Sequence, residues 1–327
     1  MHSLNTTTKL QKVITLVGKL LKPIWVLISF SALVVPATAV GKTIIHEERS
    51  LYTSILVQQS RGLLCLNFTL KRADSSQSCM DVKNPKRMVF SYTRMVMAGL
   101  LFNPNPKNIM IVGLGGGTLP MALNELFPQA KIQTVEIDGA VVDVAKRFFN
   151  FQESANNKIV QQDARVFAKR ANLKKEKFDF IILDAFNGDY IPEHLMTREF
   201  LTEVQSLLTA QGVVIANTFA SSVLYDHESN TYADVFGKFI NLKGRDTGNR
   251  IIIVPEGAIS SEQRNSISKQ AINAQAKKLA PVLEPYSVPI KRLARDIYKR
   301  IGAPADWDEN KRSLTDQYSP ANLLRNQ

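Results

Sequence analysis

Three acidic residues, Glu136, Asp163 and Asp184, each close a short apolar or β-branched run, and a glycine cluster, Gly113-Leu114-Gly115-Gly116-Gly117, precedes the first of them. Glycines at such a cluster let backbone N–H groups approach a ligand, and a helix starting just after them turns its positive dipole end toward negative or polar groups. Glu136 lies 19 to 23 positions beyond those glycines. A carboxylate so placed, at the end of the next strand, accepts both hydroxyls of a ribose. Gly113, Gly115, Gly117, Glu136 and Asp163 are therefore the candidate nucleoside-binding set. An amine nucleophile must shed a proton before or while it attacks, and a carboxylate both attracts a cationic amine and takes that proton. Asp184 is the candidate for this work, with Asn187 and Asp189 on the loop behind it, and with Tyr92 and Gln77, as candidates for holding the amine. His46, His194 and His227 are scattered without ligand spacing, so no metal site is expected.

These residues need a frame that brings strand ends together. Residues 108–112 form an apolar run that passes into the glycine cluster and then into a helix-compatible stretch, 118–126. The alternation continues with strands at 132–137, near 159–160 and at 178–183, and with helices at 140–149 and 165–173. A helix at 197–208 and strands at 213–216 and 250–254 extend it. Such alternation predicts an α/β, Rossmann-like, mostly parallel sheet of the S-adenosylmethionine-dependent methyltransferase type, covered by helices on both faces. Ahead of it, short β-runs at 52–57 and 63–66 flank an Arg61-Gly62 turn, and they predict a small antiparallel β-subdomain. A helix over 91–102 ends at the breaker Asn103-Pro104-Asn105-Pro106. The expected division is a leader or anchor at 1–41, a β-rich subdomain at 42–90, the catalytic body at 91–257, and a basic, mainly helical tail at 258–327.

With 45% hydrophobic and 21% charged residues the chain has an ordinary globular composition, and its 327 residues suit one main core with appendages. The net charge of +12 is not joined to an aromatic-and-basic reading motif, so nucleic acid is not expected as a partner. Lys9, Lys12, Lys19 and Lys22 precede an uncharged run over 23–41 that ends in Ala37-Thr38-Ala39. That order resembles a secretory signal peptide and is also long enough for one membrane anchor. Either reading exports the body; a cytoplasmic location is the alternative. In an exported domain Cys65 and Cys79 could pair, although two free buried thiols fit as well. Asn67-Phe68-Thr69 matches a glycosylation acceptor.

From about residue 44 to 254 the chain resembles the spermidine synthase (polyamine aminopropyltransferase) family. The resemblance is carried in order by Ser50-Leu51-Tyr52, Tyr92, Pro104-Asn105-Pro106-Lys107, the glycine cluster, Val135-Glu136-Ile137-Asp138, Asp163 and the loop opening at Asp184. It implies that Glu136 holds the ribose, Asp163 the adenine amino group, that Asp184 accepts the proton, and that Tyr92 borders the acceptor pocket. It implies decarboxylated S-adenosylmethionine as donor and a putrescine-like amine as acceptor, with no metal, and leaves a homodimer open. The departures point to a divergent, membrane-associated or exported branch. Gly115 stands where the family carries a donor-binding acid, Asn187 replaces a second acid, Thr53 a glutamine, and Arg94 falls close to the acceptor pocket, where it would repel a polyamine. Two alternatives remain: methyl transfer from intact S-adenosylmethionine, which an acid-free glycine loop accommodates, and a nucleoside- or polyamine-binding protein that keeps the fold without turnover.

Overall fold

The computed structural model describes residues 41–68, 76–186, 191–245, 247–255 and 268–318. The leader or anchor expected within 1–41 therefore lies outside the described residues apart from its last position, as do Asn187 and Asp189. Among the described residues no helix is long and apolar enough to cross a membrane.

A four-stranded antiparallel sheet comes first, built from β1 (Thr43–Arg49), β2 (Ser54–Ser60), β3 (Leu63–Asn67) and β4 (Ser76–Asp81) in sequential order. Arg61 and Gly62 both have positive φ, 49° and 79°, which is the two-residue hairpin geometry matching the right-handed twist of β2 and β3. Cys65 and Cys79 face each other across β3 and β4 and form a disulfide. Asn67 is buried in β3, so its amide is not exposed as a surface glycosylation acceptor.

The body is a seven-stranded sheet with five parallel strands and two antiparallel ones at an edge. Its elements in chain order are α1 (Ser91–Val96), β5 (Asn108–Val112), α2 (Thr118–Leu126), β6 (Lys131–Glu136), α3 (Gly139–Phe148), β7 (Asn157–Gln161), α4 (Ala164–Leu173), β8 (Phe178–Leu183), α5 (Arg198–Ser206), β9 (Leu208–Phe219), α6 (Tyr225–Phe236), β10 (Ile240–Lys243) and β11 (Asn249–Pro255). The strand order is β10-β11-β9-β8-β5-β6-β7, with β10 and β11 antiparallel to their neighbours. The α/β, mostly parallel frame expected from the alternation is thus present. Between β5 and β8 the chain order reverses, which opens a crevice at the carboxyl ends of those strands.

Side chains alternate across the pleat, so each central strand feeds two cores. Ile109, Ile111, Phe180, Ile182 and Ile215 pack on one face, and Met110, Val112, Ile181, Leu183 and Val214 on the other. The basic C-terminal stretch supplies α7 (Lys269–Leu283) and α8 (Ile290–Tyr298). Ile272, Ala276, Leu279 and Leu283 of α7 and Leu293, Ala294 and Ile297 of α8 are buried in the first of those cores. These two helices form a packed layer of the body. Their apolar residues recur at helical spacing beneath the charges, so charge alone concealed the buried face.

Candidate active site

The glycine loop leaves β5 with Gly113 at φ 95°, a conformation that side-chain-bearing residues avoid. A Cβ there would stand 2.3 Å from the backbone oxygen of Asp184. Gly113 therefore lets the ends of β5 and β8 lie side by side, and this close approach forms the floor of a cavity of about 290 Å³. Gly113, Gly115, Glu136, Asp163, Asp184, Tyr92 and Gln77 all line that cavity. Gly117 does not: a Cβ on it would meet the Phe151 ring at 2.6 Å, so its role is close packing beneath the loop. Arg94 is absent from the lining as well. Its guanidinium donates to the carbonyls of Met88 (2.7 Å) and Val89 (2.9 Å).

Glu136, the last residue of β6, is held by the loop it serves. The Leu114 N–H donates to its Oε2 (3.0 Å) and the Asp138 N–H to its Oε1 (2.9 Å). Each oxygen keeps lone-pair capacity beyond these bonds, which is what two ribose hydroxyls require. Burial raises its pKa, opposed by those backbone donors. Asp138 caps α3 by accepting from the Ala140 N–H, and the Ser50 hydroxyl also donates to it, tying the small sheet to the floor of the site.

Asp163 lies two residues past β7 and caps α4, its Oδ1 accepting the Val166 N–H (2.9 Å). Its Oδ2 lies 2.8 Å from His194 Nε2. Burial pushes this carboxyl up, but those two partners together hold it below its ordinary range. Spacing in the sequence gave no sign that His194 would reach Asp163, because 31 residues separate them and only the tertiary fold brings them together.

Asp184 follows β8 directly. Its only side-chain hydrogen bond from the described residues comes from Asn217 Nδ2 to Oδ1 (2.8 Å). Burial pushes it up to about 7, and the Asn217 bond moderates the rise. Tyr92 is half-buried nearby; desolvation and the Asp184 charge keep its hydroxyl protonated, and it donates to the Gln77 carbonyl (3.3 Å). Ser78 and Phe186 also line the cavity, with Ser78 beside the space left by Gly115 and Gly116. Among the described residues the lining carries four carboxylates, Glu136, Asp138, Asp163 and Asp184, and neither lysine nor arginine. In a chain of net charge +12 this is a locally anionic hollow with apolar walls, suited to a cationic ligand that also carries a flat ring.

Residues 89–256 match the family described as the spermine/spermidine synthase domain. A polyamine aminopropyltransferase of Vibrio vulnificus is 47% identical over 309 residues, which cover 93% of this chain and 99% of that protein. One of Chromobacterium violaceum is 30% identical over 201 residues, covering 61% of this chain and 76% of that protein. Among solved structures, a probable spermidine synthase from Corynebacterium glutamicum superposes with a TM-score of 0.58 at 22% identity, covering 81% of this chain and 97% of that one, a likeness of fold.

Proposed function

The chain belongs to the spermine/spermidine synthase family of aminopropyltransferases, and from that premise we propose that its cavity moves an aminopropyl group from decarboxylated S-adenosylmethionine to a putrescine-like amine. The observation that carries this reading is the set of four carboxylates, Glu136, Asp138, Asp163 and Asp184, on one cavity, because donor sulfonium and acceptor amine are both cations. In the proposed reaction the amine nitrogen attacks the aminopropyl carbon next to sulfur. The carbon–sulfur bond breaks, its electron pair neutralises the sulfonium, and methylthioadenosine leaves. Asp184 takes the proton that the nitrogen must lose. Its location on the cavity that Tyr92 also lines and its pKa near 7 suit a base that works at neutral pH. Glu136 holds the ribose hydroxyls, Asp163 faces the adenine amino group, and much of the rate comes from alignment of the two substrates.

The space beside Gly115 holds Ser78 in place of an acid, and this also favours a second reading, in which intact S-adenosylmethionine donates a methyl group. Calorimetric titration of the full chain with methylthioadenosine and S-adenosylhomocysteine, alongside an assay with decarboxylated S-adenosylmethionine and putrescine, separates the two. Aminopropyl transfer predicts tight methylthioadenosine binding, weak S-adenosylhomocysteine binding and formation of spermidine. The reverse order of affinities without spermidine would replace it with methyl transfer, and no nucleoside binding would remove both. We propose further that the body works in an oxidising compartment, supported by the basic-then-apolar order of residues 9–41 and by the pairing of Cys65 with Cys79. A reporter fused after Gln327 that is active only in the cytoplasm would overturn that location.

A further inference from the structure

β8 and β9 run parallel with Leu183 opposite Ala216, so the next residues, Asp184 and Asn217, stand side by side. Asn217 is 3% exposed and is not among the residues that line the active-site cavity. Its amide carries Asp184 on one side and Asn249 on the other: Asn217 Nδ2 donates to Asp184 Oδ1 (2.8 Å), and Asn217 Oδ1 accepts from Asn249 Nδ2 (3.0 Å). Asn249 Oδ1 in turn accepts from the Thr247 hydroxyl.

The direction of this chain is fixed at both ends. Thr247 Oγ1 accepts the Asn249 backbone N–H (3.3 Å), so its own proton is free to go to Asn249 Oδ1. A turned Asn217 amide would set its oxygen against the Asp184 carboxylate and its NH₂ against that of Asn249, a conflict at each end. Every donor in the chain therefore points toward Asp184, and successive bonds of one sense strengthen each other in a low-dielectric interior.

We propose that Asn217 is a positioning residue for Asp184, the inner member of a relay from Thr247 through Asn249 that engages Oδ1 and leaves Oδ2 as the oxygen that takes the substrate proton. The proposal rests on the reading of Asp184 as proton acceptor. Among the described residues, the other titratable groups around the same cavity are Tyr52 beyond β1, Tyr92 on α1, Glu136 and Asp138 at the end of β6, Asp163 at the head of α4, and His194. None of them lies in the relay, so a change at Asn217 or Asn249 reads on Asp184 itself. A donor to the charged carboxyl lowers its pKa; removing the donor must raise it.

The test uses the full chain with ¹³C-carboxyl-labelled aspartate, the Asp184 signal being the one lost in Asp184→Asn. In the wild type it should titrate at about 7. In Asn217→Leu the midpoint should rise by about one pH unit, the size of one hydrogen bond to a charged group. In Asn249→Ala it should rise by less, in the same direction. The acidic limb of kcat against pH should move with the midpoint, while KM for the amine and methylthioadenosine affinity stay unchanged. An Asp184 midpoint that stays in place in both variants overturns the relay, and so does a fall in kcat without movement of the limb. Should Asn217→Leu not fold, Asn249→Ala decides by the same criterion. A wild type without aminopropyl transfer, but with the Asp184 midpoint moved by the variants, would overturn the reaction assigned above and leave the relay standing.

Discussion

Two carboxylates, Asp184, half-buried at the cavity, and Glu228, fully enclosed, are served by the same pair of strands and meet opposite fates. β9 and β11 pair antiparallel, with Thr218 opposite Arg250 and Asn217 opposite Ile251. Because successive side chains alternate, Asn217 and Asn249 point to one face, and Thr218 and Arg250, one residue along, point to the other. On the first face Asp184 receives, from the described residues, only neutral amide hydrogen bonding, and desolvation lifts it to about 7. On the second, Glu228 Oε2 lies 2.7 Å from the guanidinium of Arg250, which is fully buried and is also bound by Thr218 and Ser229 and stacked over Tyr225 at 4.0 Å. A buried acid with a full counter-charge is a structural joint. One left with an amide alone stays ready to gain and lose a proton. A single step along a strand separates the two.

The widest expected gap is catalytic. Asp184→Asn should lower kcat by about 10²–10⁴ while methylthioadenosine affinity stays within about tenfold, measured by steady-state turnover and calorimetry. The wild-type rate should rise with pH through about 7, since the base acts as the carboxylate. Glu228→Gln should instead leave that pH profile in place and destabilise the fold by about 3–5 kcal/mol in urea unfolding, because Arg250 would be buried without its counter-charge. Equal loss of stability in both variants would erase the contrast between the two faces. Glu136→Gln should weaken methylthioadenosine binding by about 1.5–3 kcal/mol with the fold intact, as expected for hydrogen bonds to a charged group. The smallest effect has the opposite sign. The folded-state pKa of Asp184 is above that of the unfolded chain, so its contribution to stability is full below about pH 4 and is lost as pH rises through about 7. Asp184→Asn should therefore be more stable than wild type at pH 8, by roughly 1–2 kcal/mol, and show no such gain at pH 4. A gain at both pH values would point to relief of packing and not of charge.

Much of the frame was legible because it depends on local pattern. Helix α2 and strand β8 fall where the apolar spacing set them, and the Arg61-Gly62 hairpin follows from the backbone freedom its turn needs. Helix α6 and strand β10 were not anticipated. The polar run Asp226-His227-Glu228-Ser229-Asn230-Thr231 hides a helix whose buried residues include Glu228, Ser229, Asn230 and Thr231, satisfied by partners far along the chain. Asn217 carried a readable signal, a lone amide at the carboxyl end of the apolar run 213–216, in register with an acid one strand away. His194 carried none.

The sequence by itself determined which residue types stand at the strand ends, because strand, glycine loop and helix follow from spacing within a few residues. Tertiary structure alone decided which carboxylate is paired, which is left to titrate and which glycine faces a ligand. Charge pairing and desolvation depend on distances between segments remote in the chain, and those distances exist only once β9 and β11 have set one face toward Asp184 and the other toward Glu228.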